Sequence, residues 1–226
     1  QKMRLIFNLK QLECEYLLLD LGSGSAYNTL DYFGMTQLGM LVTTTEHTSI
    51  MNMLTFLKLF AFRVIERSLP KNTFLEEKLR KSYNLSVKEG ILTVRNLLDE
   101  LAEIDKDVAE QAEQKWTSFR PRIVFNKCKD PNELNLLPKL EKILQHNLLL
   151  RADFFGYLQG DPAVYISFQQ RKALYKVNPT AEISKDIYLL ADRITRLWKK
   201  PLRNSSSLLL NNAKNIFEQR RSGLDN

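Results

Sequence analysis

Apolar positions recur along this chain in two rhythms, and their alternation predicts strands separated by helices. Tyr16-Leu-Leu-Leu-Asp20 is a short apolar run that stops at an acid and a Gly-rich stretch, Leu21-Gly-Ser-Gly-Ser25. Helices rarely stop so abruptly, so a buried strand ending in a loop is expected there. Leu38 to Thr43 is a second such run, followed by Thr44-Thr45-Glu46. From about Thr48 to Ser68 the period lengthens. Ile50, Met51, Leu54, Leu57, Phe60, Ala61 and Val64 recur every three or four residues, which predicts a helix ended by Pro70.

The stretch from Asn72 to Phe119 reads as two or three helices, with Leu92, Val94, Leu97, Leu98 and Leu101 as an apolar face. Arg122 to Asn126 is a third expected strand. Pro131 opens a helix carrying Leu134, Leu137, Leu140, Ile143 and Leu144. Ala152 to Leu158 is a fourth strand, followed by a turn at Asp161-Pro162. A helix from Ala181 to Trp198 then carries Ile183, Ile187, Leu190, Ala191 and Ile194. Strands alternating with helices predict an α/β fold with a mostly parallel sheet covered on both faces. No internal repeat and no Gly/Ser/Pro-rich linker divides the chain.

Composition supports one domain with a real core: 226 residues, 44% hydrophobic and 26% charged. No apolar run approaches the ~18 residues of a membrane span, so none is expected. The start, Gln1-Lys2-Met3-Arg4, lacks an initiator Met and a signal-peptide core, and reads as an incomplete chain. Cys14 and Cys128 are expected to be free, mostly buried thiols in a reducing cytosol. His47 and His146 stand apart from other ligating residues, so no zinc site is expected.

The formal net charge of +7 is unevenly placed. Seven acids and one base lie between Asp99 and Glu113; eight bases and one acid lie from Arg193 to Arg221. The basic end suits anionic lipid or nucleic acid, and a solvated helix face explains it equally well.

In open α/β sheets functional residues gather at the carboxyl ends of the strands. Those ends carry Asp20, Glu46, Asn126 and Asp161. An apolar run ending in an acid has the form of a Walker B strand, whose carboxylate reaches a nucleotide-bound Mg²⁺ through water. Gly22 and Gly24 would let the backbone approach a phosphate, with the Gly24 N–H facing its terminal group. Alone the pattern is common, and a strand-end cap or turn explains most instances.

The ordered set of motifs says more. Tyr16-Leu-Leu-Leu-Asp-Leu-Gly-Ser-Gly24, Asn28-Thr-Leu-Asp31 and Leu41-Val-Thr-Thr-Thr-Glu-His-Thr-Ser-Ile50 resemble the MinD/ParA-type P-loop ATPases of the flagellar-number branch. Val124-Phe-Asn-Lys127, Phe155-Gly-Tyr-Leu-Gln-Gly-Asp-Pro-Ala-Val164 and Arg171-Lys-Ala-Leu-Tyr-Lys-Val-Asn-Pro179 resemble later stretches of the same family, in the same order. The resemblance implies a three-layer P-loop NTPase fold over residues 1–198, with a helical insert at about 72–119 and a basic tail over 199–226. It also implies binding of ATP and Mg²⁺, with Asp20 as the catalytic and metal-shell acid. Gly22, Gly24, Asn126 and Asp161 would be nucleotide-binding residues, Asn126 reading adenine.

The family's phosphate-binding loop and switch loop have no counterpart here. Nothing matches GxxxxGK[ST], so the N-terminal strands and Walker A loop are expected upstream, and this chain alone is expected to be inactive. Gln159 stands where the family has Pro, which implies a less rigid adenine-side loop. For the parent protein the resemblance implies a cytoplasmic ATPase cycling between monomer and ATP-bound homodimer. It would position or count flagella, or place the division site, through a protein partner. Alternatives are a ParA-like partition ATPase binding DNA non-specifically, and a non-catalytic interaction module of the same fold. The tail places Leu209, Leu210, Ala213, Ile216 and Phe217 on one helical face, with Lys214, Arg220 and Arg221 flanking. It resembles the helix with which MinD proteins grip the inner face of the plasma membrane. A terminal helix packed on the domain is the other reading.

Overall fold

A computed structural model describes residues 2–71, 73–89 and 93–222. In chain order the elements are α1 (Lys2–Lys10), α2 (Tyr27–Phe33), β1 (Met40–Thr43), α3 (His47–Glu66), α4 (Thr73–Glu89), α5 (Val94–Ala102) and α6 (Lys106–Thr117). There follow β2 (Arg122–Cys128), a 3-10 helix (Pro131–Leu136), α7 (Leu137–Leu148), β3 (Asp153–Gln159), α8 (Ala163–Gln169), α9 (Leu174–Val177), α10 (Glu182–Leu197) and α11 (Ser205–Ser222). The chain is α/β and mostly helical. It divides into two compact units, one of Gln1–Gly39 with Thr55–Phe119 and one of Met40–Leu54 with Arg120–Asn226.

Among the described residues the first unit holds helices only. Its center is aromatic: the Phe60 ring meets Phe33 and Phe119 edge-on, each at 5.0 Å between centroids, and Trp116 at 5.8 Å. Gly39 is required by this packing, since a Cβ there would stand 2.5 Å from the Phe33 ring. α5 buries Val94, Leu97, Leu98 and Leu101, the expected face. Leu92 lies outside the described residues. By length and composition alone α3 passes for a membrane span, although its apolar runs are interrupted. It nevertheless buries Leu57, Phe60, Ala61 and Ile65, and its Arg63 is engaged in ion pairs.

Those pairs center on Asp31 of α2, a buried carboxylate that no periodicity announces. Arg63 Nε and Nη2 donate to it at 3.0 and 3.1 Å, Arg67 Nη1 at 2.9 Å, and Lys2 pairs with it as well. Burial alone would raise the carboxyl, but the hydrogen bonds from Arg63 and Lys2 and the charges of Arg63 and Arg67 outweigh it and hold it at about 2. A carboxyl depressed in the fold gives stability that is full above its unfolded pKa of about 4 and is lost as pH falls through the folded value. Asp31→Asn should therefore destabilise at neutral pH by about 3 kcal/mol. It should also flatten the loss of stability between about pH 4 and pH 2. Urea titrations of both proteins across that window would show it.

The second unit is built on a sheet of order β1-β2-β3, parallel throughout. Ile123, Val124 and Phe125 of β2 are fully buried, as a central parallel strand requires. β2 and β3 run in register from Arg122↔Asp153 to Ile123↔Phe154, then shift so that Val124 faces Gly156. Phe155 is the extra residue of this bulge. α10 packs on β3 where Gly156 leaves room: a Cβ there would lie 3.1 Å from Leu190 Cδ1. α11 packs on β3, the 3-10 helix and α7. Pro131 therefore opens a 3-10 helix that leads into α7, rather than a single α-helix. On α10 Ile187 is exposed and Asp186 buried, a departure from the expected apolar face.

The amino ends of β2 and β3 are closed by a buried ionic cluster. Arg122 and Asp153 are both fully buried and form an ion pair. Arg122 Nη2 donates to the carbonyls of Trp198 and Lys200 at 2.6 and 2.8 Å. Its guanidinium lies 5.3 Å from the Phe155 ring centroid and 5.8 Å from that of Trp198. Arg120 adds a two-pronged contact, Nε and Nη2 reaching Asp153 at 2.8 and 2.6 Å. Desolvation, together with the charge of Arg120, pushes the Arg122 guanidinium down to about 10. Removing Asp153 would leave two desolvated cations facing each other. Asp153→Ala should cost about 3–5 kcal/mol, read as a drop in the denaturant midpoint; a midpoint within error of the parent would refute the cluster's structural weight.

Candidate functional site

The sequence-predicted residues fall in both units, Asp20, Gly22 and Gly24 in the first and Asn126 and Asp161 in the second. Residues 16–20 form no strand, which corrects the expected Walker B strand and reduces four expected strands to three among the described residues. Backbone N–H and C=O groups need partners, and a strand exists only where a neighbor supplies them. No described segment pairs with 16–20. The apolar run stands in solvent instead: Leu17, Leu18 and Leu19 are 43%, 87% and 38% exposed.

Asp20 ends this run as an exposed carboxylate whose Oδ1 accepts the Gly22 N–H at 3.1 Å, an Asx turn. Gly22 and Gly24 have φ of 67° and 113°, conformations that favor glycine. A Cβ built on either meets nothing within 4 Å, so the loop backbone is open on that side. A carboxylate with a second oxygen turned to solvent suits a cation reached through water, and an open glycine backbone suits an anion.

In the second unit the polar residues collect after the strands, as an open parallel sheet dictates. After β1, Thr45 Oγ1 donates to Glu133 Oε2 at 2.7 Å. Near the end of β2, half-buried Asn126 turns its Oδ1 onto the N–H of Lys127 at 2.8 Å. Lys127 adopts φ 58°, which breaks the β2–β3 register before Cys128. Asp161 follows β3. Its Oδ1 accepts the Ala163 N–H at 2.8 Å and its Oδ2 the Ile183 N–H at 3.4 Å, tying the starts of α8 and α10. Both oxygens thus have backbone partners, the arrangement of a structural cap.

Against the expectation of a less rigid loop there, the loop after β3 is tied down at Gln159. Its N–H donates to Asp186 Oδ2 at 2.7 Å, and its Oε1 accepts Arg220 Nη1 at 2.7 Å. Arg220 also donates to Asp186 Oδ1 at 2.8 Å and pairs with Glu182. Burial lowers the Arg220 guanidinium, but the hydrogen bond to Asp186 and the charges of Asp186 and Glu182 outweigh it and raise it. Sequence reasoning missed this network. Its one signal is Asp186, two and three residues after Ser184 and Ile183 on the buried stripe of α10.

The tail helix packs on its own unit, burying Leu209, Ala213 and Phe217, with the Phe217 ring stacked on Tyr157 at 5.7 Å. Arg220 is committed as above, and Arg221 pairs with Asp130 at 3.4 Å. Of the two thiols only Cys128 is buried, its pKa pushed up to about 12 by desolvation and then by Glu133 and Asp186. Cys14 is exposed, contrary to expectation.

A scan against protein-family models finds no match for this chain, and a search of curated proteins finds none either.

The exposed state of 16–20 has a direct consequence. In this 226-residue chain, Leu18→Lys should change unfolding free energy by less than about 0.5 kcal/mol. A Leu packed inside a sheet would lose several times that, about 2–5 kcal/mol when truncated. Equilibrium unfolding distinguishes the two.

Proposed function

We propose that this chain carries the carboxyl-terminal part of a MinD/ParA-type P-loop ATPase, whose phosphate-binding loop lies in sequence not contained in these 226 residues. The observation that carries the reading is the order of its motifs. The DxGxG-like loop, the Val-Thr-Thr-Thr-Glu strand end, the strand leading into Asn126 and the Gly-Asp-Pro turn follow one another as in that family. An all-parallel sheet with Glu46 and Asp161 beyond its carboxyl ends and Asn126 near the end of its central strand supports it.

Asp20 is the residue for the Mg²⁺ shell, through its solvent-facing oxygen. Mg²⁺ would supply charge neutralisation on the phosphates of ATP. Gly22 and Gly24 would bring their backbone against the phosphates, and the Asn126 amide would read the adenine edge. Asp161 would act by holding the adenine-side turn, through the caps it makes to α8 and α10. The parent protein would bind and hydrolyse ATP, cycle between monomer and ATP-bound dimer, and place flagella or the division site through a protein partner. Its setting would be the cytoplasm, with peripheral contact at the membrane.

A non-catalytic interaction module of the same fold is the second reading. The commitment of both Asp161 oxygens to helix caps favors it. ATP turnover by the chain extended through its upstream sequence separates the two. The chain alone should show no turnover, because backbone N–H groups and a lysine of the absent loop supply most phosphate affinity. In the extended protein Asp20→Ala should lower turnover at least about a hundredfold, whereas Asn126→Ala should weaken ATP binding and blur its preference over GTP. Normal hydrolysis by Asp20→Ala would sink the assignment.

A further inference from the structure

Surface helices turn their large apolar side chains inward; α8 does the reverse. It is seated by Ala163 and Ser167, both buried. Val164, Tyr165, Ile166 and Phe168 are 47%, 65%, 45% and 79% exposed. α9 packs beside it and adds Tyr175, 61% exposed.

The connection between the two helices is fixed by its backbone. The Arg171 N–H donates to the Phe168 carbonyl at 2.9 Å and the Lys172 N–H to the Ser167 carbonyl at 3.1 Å, with Arg171 at φ 51°. Beyond α9, Ser184 Oγ donates to the Asn178 carbonyl at 2.6 Å. The apolar side chains are therefore presented on an ordered scaffold, and little backbone order has to be gained on binding. Arg171, Lys172 and Lys176 are exposed, and no carboxylate occurs between Asp161 and Glu182.

We propose that α8–α9 docks onto an anionic lipid bilayer, with Tyr165, Ile166 and Phe168 entering the headgroup–acyl boundary and Arg171, Lys172 and Lys176 meeting lipid phosphates. The composition of the patch selects this occupant. Val164 and Ile166 have no π-face on which a nucleic-acid base could stack, whereas an interfacial site uses aliphatic and aromatic side chains together with flanking bases. The acid-free stretch avoids repulsion from an anionic surface. Docking requires neither nucleotide nor a phosphate-binding loop, so it stands apart from the ATPase reading.

The test is flotation of the 226-residue chain with phosphatidylcholine vesicles, with and without about 30% phosphatidylserine. Binding is expected to the anionic vesicles only. Lys172→Gln combined with Lys176→Gln should weaken it about 30-fold, and Phe168→Ser at least about tenfold. Both sets of positions are exposed, so the fold should persist, as circular dichroism would verify. Phe168→Trp supplies an independent readout: its emission should shift to the blue with anionic vesicles and be quenched by brominated acyl chains. Equal binding to neutral vesicles, or full binding by Phe168→Ser, would overturn the proposal. So would a blue shift with single-stranded oligonucleotide in place of vesicles, or a dimer in light scattering that Phe168→Ser dissociates.

Discussion

Asp153 stands between two guanidinium groups at a place from which water has been removed, and the second unit is arranged around keeping it there. A buried carboxylate is tolerable only when its charge is matched and its lone pairs are filled. Arg122 and Arg120 match it, and the Leu202 N–H supplies a further donor at 3.3 Å. Each arginine needs acceptors in turn, and the chain at 198–202 brings the carbonyls of Trp198, Lys200 and Leu202 to their Nη2 groups, while Arg122 Nε stays buried without a hydrogen bond. Three consequences follow. The β2–β3 register is pinned at Arg122↔Asp153, α10 must end where it does, and Ser205 arrives where its Oγ accepts the Phe154 N–H at 3.1 Å. α11 starts from that point and so is delivered onto β3.

Periodicity read well where an element buries its own apolar face against a neighbor inside these 226 residues. β2, β3, α3, α5 and α10 lie within a few residues of where the spacing puts them. It failed at 16–20 because strand formation is not a local property: an apolar run such as Tyr-Leu-Leu-Leu forms a strand only beside a partner, and no described segment supplies one. It was also silent on Asp31 and Asp153. Their partners lie about thirty residues away in sequence, and a carboxylate in solvent and one in an ionic core carry the same letter.

The candidate site was legible in part for the same reason. Asp20, Gly22 and Gly24 do form a turn with left-handed glycines, because Asx turns and positive φ are encoded by adjacent residues. Asp161 does lie after β3 and Asn126 near the end of β2, because strand ends are set by short-range pattern. Which of their atoms remain available is set by tertiary neighbors. Only the structure gives Asp161 two backbone donors and places Arg220 on Gln159, reversing the expectation of a loose loop there.

The two amphipathic segments exchange roles once burial is known. α11 has an apolar face flanked by bases, as a membrane-surface helix does, yet using it as one would require exposing Leu209 and Phe217, at about 1.5–3 kcal/mol each. It would also require pulling Arg220 from Asp186 and Glu182, where breaking a buried pair costs about 3–5 kcal/mol. Together these exceed the ~5.5 kcal/mol that a single myristoyl chain contributes to reversible membrane attachment. α8 meets no such cost. Its large apolar side chains are already outside, its seat is two small residues, and its cations are free of any carboxylate within the segment. A peripheral contact built from the folded protein as it stands would therefore use α8–α9 and leave α11 packed on β3.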